Sequence, residues 1–226
     1  LAPELGAAVW TVTSADDDGP GSLRQALADA ASGDTVRIPL TNTIQLATGL
    51  VVSNKSLTIA GSGQTNLVVR GGPGVRPFTL VMTTTNTAQV LDLTIAGGDL
   101  DSGGAGGQDG GGILCLGGQL TLTRVEVAGN RADRGGGVAF LGPGPVIDGN
   151  TFLRMRSCFL HDNEARYTGD GGGVYTQDTY FDDQLSRIEH NTAAGTGGGI
   201  HHAVAPAIGF ATCYLTGPVI RDNVAG

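Results

Sequence analysis

This sequence is short of lysine, of cysteine and of long apolar runs, and each shortage excludes something. Lys55 is the only lysine, and 13 basic residues face 21 acidic ones for a net charge of −8. No basic cluster interrupts that balance, so a phosphate-tracking nucleic-acid surface is excluded. No run of about 18 apolar residues is present, and the first ten residues lack the basic start and apolar stretch of a signal peptide. Membrane insertion by this segment is therefore not expected. The 3 cysteines, Cys115, Cys158 and Cys213, make no disulfide framework and no C-x-x-C pair. Each lies in an apolar, strand-like run, which predicts buried free thiols. Cys158 and Cys213 are the one pair that an oxidising compartment would bridge.

Glycine is what the chain has in excess, 39 of 226 residues, and its placement is ordered. Gly135-Gly136-Gly137-Val138 returns as a triple glycine plus an aliphatic residue at Gly110 to Ile113, Gly171 to Val174 and Gly197 to Ile200. A second signature, an aliphatic residue three places before an asparagine, alternates with it: Val127 and Asn130, Leu160 and Asn163, Ile188 and Asn191, Ile220 and Asn223. Successive asparagines lie 33, 28 and 32 residues apart, the spacing of a supersecondary unit stacked on itself. Between the signatures run short alternating stretches such as Leu120-Thr121-Leu122-Thr123, with no helical stripe. Glycine suits tight corners and close backbone approach, and asparagine at a corner can enter the left-handed region and hydrogen-bond its equivalents in neighbouring coils. The fold expected is all-β, a right-handed parallel β-helix or solenoid over residues 35–226.

Residues 1–34 read differently. Val9-Trp10-Thr11-Val12 is a strand, and Leu23, Ala26, Leu27 and Ala30 follow helical spacing behind the capping pattern Ser22 to Gln25, with Gly33 as the stop. A stack of coils exposes apolar side chains and open strand edges at its first turn, so this helix is expected to cap it. Farther on, Thr35 to Ile38, Thr43 to Leu46, Leu57 to Ile59 and Asn66 to Val69 read as strands. Leu57-Thr58-Ile59-Ala60-Gly61 recurs word for word at Leu93 to Gly97, which predicts equivalent strands and corners. The last residues, Asp222 to Gly226, enter another repeat without a closing cap, so the chain is expected to belong to a longer one.

The run Val12-Thr13-Ser14-Ala15-Asp16, Gly19 to Leu27 and Gly33-Asp34-Thr35-Val36 resembles the start of secreted right-handed parallel β-helix repeat proteins of bacteria. The alternation of triple glycine with aliphatic-x-x-Asn over residues 110–226 resembles the passenger repeats of the polymorphic outer-membrane protein family. That family commonly has alanine after two glycines and phenylalanine before its asparagine pair, whereas glycine and varied aliphatics stand here. The resemblance implies a secreted or cell-surface protein, and it does not imply an enzyme activity.

Chemistry has three candidate places. Asp182 and Asp183, with Arg156 and Arg187, would be the catalytic set of a polysaccharide lyase or glycoside hydrolase, whose acid and base must reach one linkage. Neighbours on a strand point to opposite faces, which opposes that use. Asp99, Asp101 and Asp109, in a glycine-rich loop, offer oxygen ligands for Ca²⁺. His161, His190, His201 and His202 invite a transition-metal reading, but their registers differ and they read as surface histidines. The leading expectation is a non-catalytic module for adhesion, display or structural spacing, with a glycan or host-surface ligand. A carbohydrate-active enzyme with a groove on one sheet face is the alternative.

Overall fold

A computed structural model describes residues 6–101, 103–104, 107–144, 150–204 and 212–226. Among these residues the protein is all-β, with one short helix, and every pairing between the strands is parallel. The largest sheet runs from Val9–Thr11 through Thr35–Arg37, Leu57–Ala60, Thr87–Ala96, Gln119–Ala128, Phe152–Arg156 and Tyr180–Gln184 to Cys213–Thr216. A second sheet stacks Leu50–Ser53, Phe78–Val81, Ile113–Leu116, Val138–Leu141, Val174–Gln177 and Ile200–Ala203. A third holds Arg131–Ala132, Glu164–Ala165, Thr192–Ala193 and Val224–Ala225. From residue 119 onward the chain visits the largest, the third and the second sheet in the same order on each pass. Val138 pairs with Val174 and Val174 with Ile200, as the triple-glycine repeat predicts.

The long strand of each later pass is bent at one residue. Asp92, Arg124, Ser157 and Leu185 all carry a left-handed φ, from 50° to 62°, at equivalent places. The bend divides the largest sheet in two, and beyond it Phe159–His161 continues to Arg187–Glu189 and Val219–Arg221. It also separates the two copies of Leu-Thr-Ile-Ala-Gly. Leu57 pairs with Ala88 and Ile59 with Val90, before the bend, whereas Leu93 and Ile95 lie beyond it, where Ile95 pairs with Val69. The identical words are therefore not equivalent strands. Both satisfy the same inside–outside alternation, and the corner residue, not the word, sets the position along the coil.

Apolar side chains point inward in columns, among them Ala88, Leu120, Leu153 and Phe181, and Ile95, Val127, Leu160 and Ile188, all at most 1% exposed. Each of the larger ones contributes roughly 1.5–3 kcal/mol by leaving water. The polar residues at the asparagine corner enter this interior with partners. Asn130, Asn163 and Asn191 are buried, and each Nδ2 donates to the Oδ1 of the asparagine in the next coil at 2.9–3.0 Å. The second Nδ2 hydrogens go to the carbonyls of Ile95, Val127 and Leu160, and each Oδ1 also accepts a backbone N–H, so both ends of each amide are used. The left-handed residue at this corner is not the asparagine but its predecessor: Gly129, Asp162, His190 and Asp222.

The triple glycine has two causes. At the first position Gly135 sits at φ 60°, in the left-handed region. At the second, a Cβ on Gly136 would fall on the backbone of Glu164, and at the third, one on Gly137 would lie 2.6 Å from the Gly173 carbonyl. Two glycines are thus required by close approach and one by the turn.

The helix α1 spans Leu23–Asp29 and buries Leu23, Ala26 and Leu27 in the same apolar cluster as the strands, in contact with Thr35–Arg37 and Leu50–Ser53. Ser22 caps it by accepting from the Gln25 N–H at 3.1 Å. The reciprocal half of the expected capping pattern does not form, because the Gln25 amide turns to Asp29 instead. The helix stops before Gly33, where Ala30 turns extended. Lys55 caps the other end, with Nζ donating to the carbonyls of Leu27 at 2.6 Å and Ala30 at 2.8 Å.

Two outcomes follow from these contacts. Asn163→Leu removes the acceptor of the Asn130 side-chain amide and of the Asn130 backbone N–H, and a donor to the Val127 carbonyl, and should lower unfolding free energy by about 3 kcal/mol in urea titration. Lys55→Met removes the cation from the helix C-terminus and should cost about 1 kcal/mol, a fall in melting temperature of roughly 2–4 °C by calorimetry.

Candidate functional site

Alternation along the strands decides which polar residues reach solvent. Leu153, Met155, Phe181 and Asp183 point inward and are fully buried, so Phe152, Arg154, Arg156, Tyr180, Asp182 and Gln184 face outward. Parallel register then sets them in columns: Gln119, Phe152 and Tyr180 in one, Thr121, Arg154, Asp182 and Tyr214 in the next, Thr123, Arg156, Gln184 and Thr216 in the third. Phe152, Arg154, Tyr180, Asp182, Tyr214 and Thr216 line an open groove of about 520 Å³.

The centre of the groove is a charge pair. Arg154 Nε lies 3.0 Å from Asp182 Oδ2, and its guanidinium also rests 4.6 Å above the Phe152 ring centroid. Gln184 Nε2 donates to the same carboxylate oxygen at 3.2 Å. The pair is part-exposed and contributes little to stability, but it leaves a planar donor and an acceptor side by side among three rings.

Asp183 is its opposite. The side chain lies between Met155 and Leu215 in register, is 0% exposed, and neither oxygen has a hydrogen-bond partner among the described residues. Burial pushes its pKa up, the neighbouring Asp182 charge adds to this, and the nearby Ser186 hydroxyl and Gln184 N–H offset only part of it. Of the enzyme candidates, then, Asp182 and Arg156 share the outer face while Asp183 points into the core. Arg187 lies beyond the bend at Leu185, over the Phe159 ring and bonded to Glu189. The structure does not bring the four together.

Nor does it gather the loop carboxylates. Asp99 pairs with Arg166 at 3.0 Å, Asp101 accepts hydrogen bonds from the Tyr167 hydroxyl and the Gly103 N–H, and Asp109 takes a two-pronged bond from Arg134 at 2.7 and 2.8 Å. No group of three His, Cys, Asp or Glu side chains suited to a metal ion exists among the described residues. The histidines are likewise engaged separately. Burial tends to lower the His161 pKa, but Glu126 at 2.9 Å and Asp162 at 2.7 Å outweigh it and raise it. His201 stacks on Tyr175 and bonds Thr196, His202 bonds Thr176, and His190 stands 3.9 Å from Asp222. Cys115 and Cys158 are buried and free, and burial raises both thiols, whereas Cys213 is free but exposed, against expectation.

A second depression, of about 580 Å³, is lined by Asp101, Glu164, Arg166, Tyr167 and Thr192. Its charges are committed to one another, since Arg131 lies 3.1 Å from Glu164 and Arg166 holds Asp99. The groove on the largest sheet is the better site because its rings and its Arg–Asp pair face solvent together. Sequence reading missed Phe152, Tyr180 and Tyr214. The signal was present, since the 28- and 32-residue asparagine offsets carry Arg154 to Asp182 and Asp182 to Tyr214.

No protein-family model matches this sequence, and comparison with curated proteins finds no significant match. No helix among the described residues is long and apolar enough to cross a membrane.

Asp183 gives the site a pH test. A carboxyl with its folded pKa raised above the unfolded 3.8 contributes stability below pH about 4 that is lost as pH rises through the folded pKa. Asp183→Leu should therefore raise the unfolding free energy at pH 8 by on the order of 1–3 kcal/mol, seen as a higher melting temperature, and gain little at pH 3.5. Equal gains at both pH values would contradict a buried, charge-averse carboxyl.

Proposed function

We propose that this chain is a right-handed parallel β-helix module of a secreted or cell-surface protein, similar to polymorphic outer-membrane passenger repeats, with α1 as the lid of its first coil. Its role is adhesion, display or spacing, without catalysis, and its contact surface is the groove around Arg154 and Asp182. The parallel columns and the regular offsets support the architecture, and the buried face of α1 supports the lid. The exposed face of the groove supports binding rather than cleavage. Glycoside hydrolysis uses two carboxyl groups roughly 5–9.5 Å apart across one bond, yet Asp182 is the one carboxylate lining the groove among the described residues and Asp183 points away from it. A lyase needs a base with cations beside it, and Arg154 is already bound to Asp182 and Phe152. Calcium has no part in this reading, because arginines already neutralise Asp99 and Asp109.

Two measurements test it. Antibody labelling of intact producing cells should find the protein outside the membrane, and its deletion should reduce attachment to surfaces. Incubation with pectate, alginate, hyaluronan or chondroitin, with and without Ca²⁺, should release no unsaturated or reducing ends. Release that is lost in Asp182→Asn would replace adhesion with enzymatic cleavage.

A further inference from the structure

We infer that the groove binds an extended neutral glycan whose axis runs along the stack of coils. The inference rests on the adhesion reading and names its ligand class. Three rings occupy three successive coils: Phe152 and Tyr180 in one column, and Tyr214 in the next coil, one column over. Coils in parallel register are spaced by about 4.8 Å, so a ligand lying across the strands meets one ring per coil. Pyranose rings present apolar C–H faces that pack on aromatic surfaces, and hydroxyl edges that need donors and acceptors in one plane. Arg154 and Asp182 supply both, side by side at 3.0 Å, in the column they share with Tyr214, between the Phe152–Tyr180 column and the outer polar one. Around them the face is mostly uncharged and polar, Gln119, Thr121, Thr123, Gln184 and Thr216, with Arg156 as the one charge in the outer column.

Charge selects against the other extended ligands. The guanidinium of Arg154 is neutralised by its own carboxylate, and the chain as a whole carries −8. A polyuronate or a nucleic-acid strand laid along the groove would bring its anions against Asp182, with only Arg156, at the outer column, to receive them. Aromatic stacking alone would suit bases as well as sugars, and it is the central carboxylate that separates the two.

Calorimetric titration of the full chain with cellohexaose, xylohexaose and mannohexaose, against hexagalacturonate and oligothymidylate, tests the inference. At least one neutral oligosaccharide should bind and both polyanions should not. Tyr180→Ala, Tyr214→Ala and Asp182→Ala should each weaken binding roughly tenfold, Tyr180→Phe should keep most of it, and the distant Tyr167→Ala should leave it unchanged. Circular dichroism and melting temperature of each variant separate lost binding from lost fold. Binding of a polyanion in preference, refusal of every neutral glycan, or binding indifferent to both Tyr180→Ala and Tyr214→Ala would each overturn the inference. Refusal of all probes by a protein that still mediates attachment would defeat the ligand class alone, and loss of surface exposure and attachment would defeat the adhesion reading beneath it.

Discussion

The spacing between parallel coils is the constraint on which everything else in this protein depends. Backbone hydrogen bonds hold neighbouring strands about 4.8 Å apart, and whatever stands at a given place in one coil meets its equivalents above and below. Asparagine exploits that repetition because its amide is a donor at one end and an acceptor at the other. Stacked in register, Asn130, Asn163, Asn191 and Asn223 satisfy each other in sequence. The same spacing forbids a side chain where corners approach most closely, and so Gly136 and Gly137 have no tolerated replacement without backbone movement.

Electrostatics follows the same geometry. Asp92 with Arg124, Arg154 with Asp182, Arg131 with Glu164 and Glu189 with Arg221 all join one coil to the next. Most of these pairs are part-exposed and stabilise the stack little individually. Glu189 is the exception in environment, since its side chain is nearly buried and the hydrogen bonds of Arg187 and Arg221 hold its carboxyl down to about 2. Pairing across coils also removes carboxylates from other uses. Asp99 and Asp109 cannot converge on a cation while Arg166 and Arg134 hold them on different parts of the corner.

Function is then decided by the face a residue occupies. Asp182 and Asp183 are adjacent in the chain and have opposite fates, one exposed beside Arg154 and one shut in the core between Met155 and Leu215. Rings follow the same rule. Phe181 fills the interior, while its neighbours Tyr180 and Phe152, the latter one coil earlier, stand on the outer surface. The groove so formed sets exposed rings beside the paired Arg154 and Asp182.

The sequence by itself determined the repeat, the strands, the presence of a helix after Ser22, the asparagine contacts between coils and the alternation that parts Asp182 from Asp183. These were legible because they rest on local rules: period two in a strand, helical spacing, capping and the steric freedom of glycine. Register belonged to the tertiary structure. Identical words at Leu57 and Leu93 fell on different sides of a bend, and the left-handed residue proved to be the one before each asparagine. Cys213 came out exposed, and the loop carboxylates found arginines far away in sequence, Asp99 reaching Arg166. Coil lengths that vary between 28 and 33 residues shift distant side chains past one another. Which ring meets which carboxylate is therefore set by how the coils align, a property of the folded stack that no single stretch of chain contains.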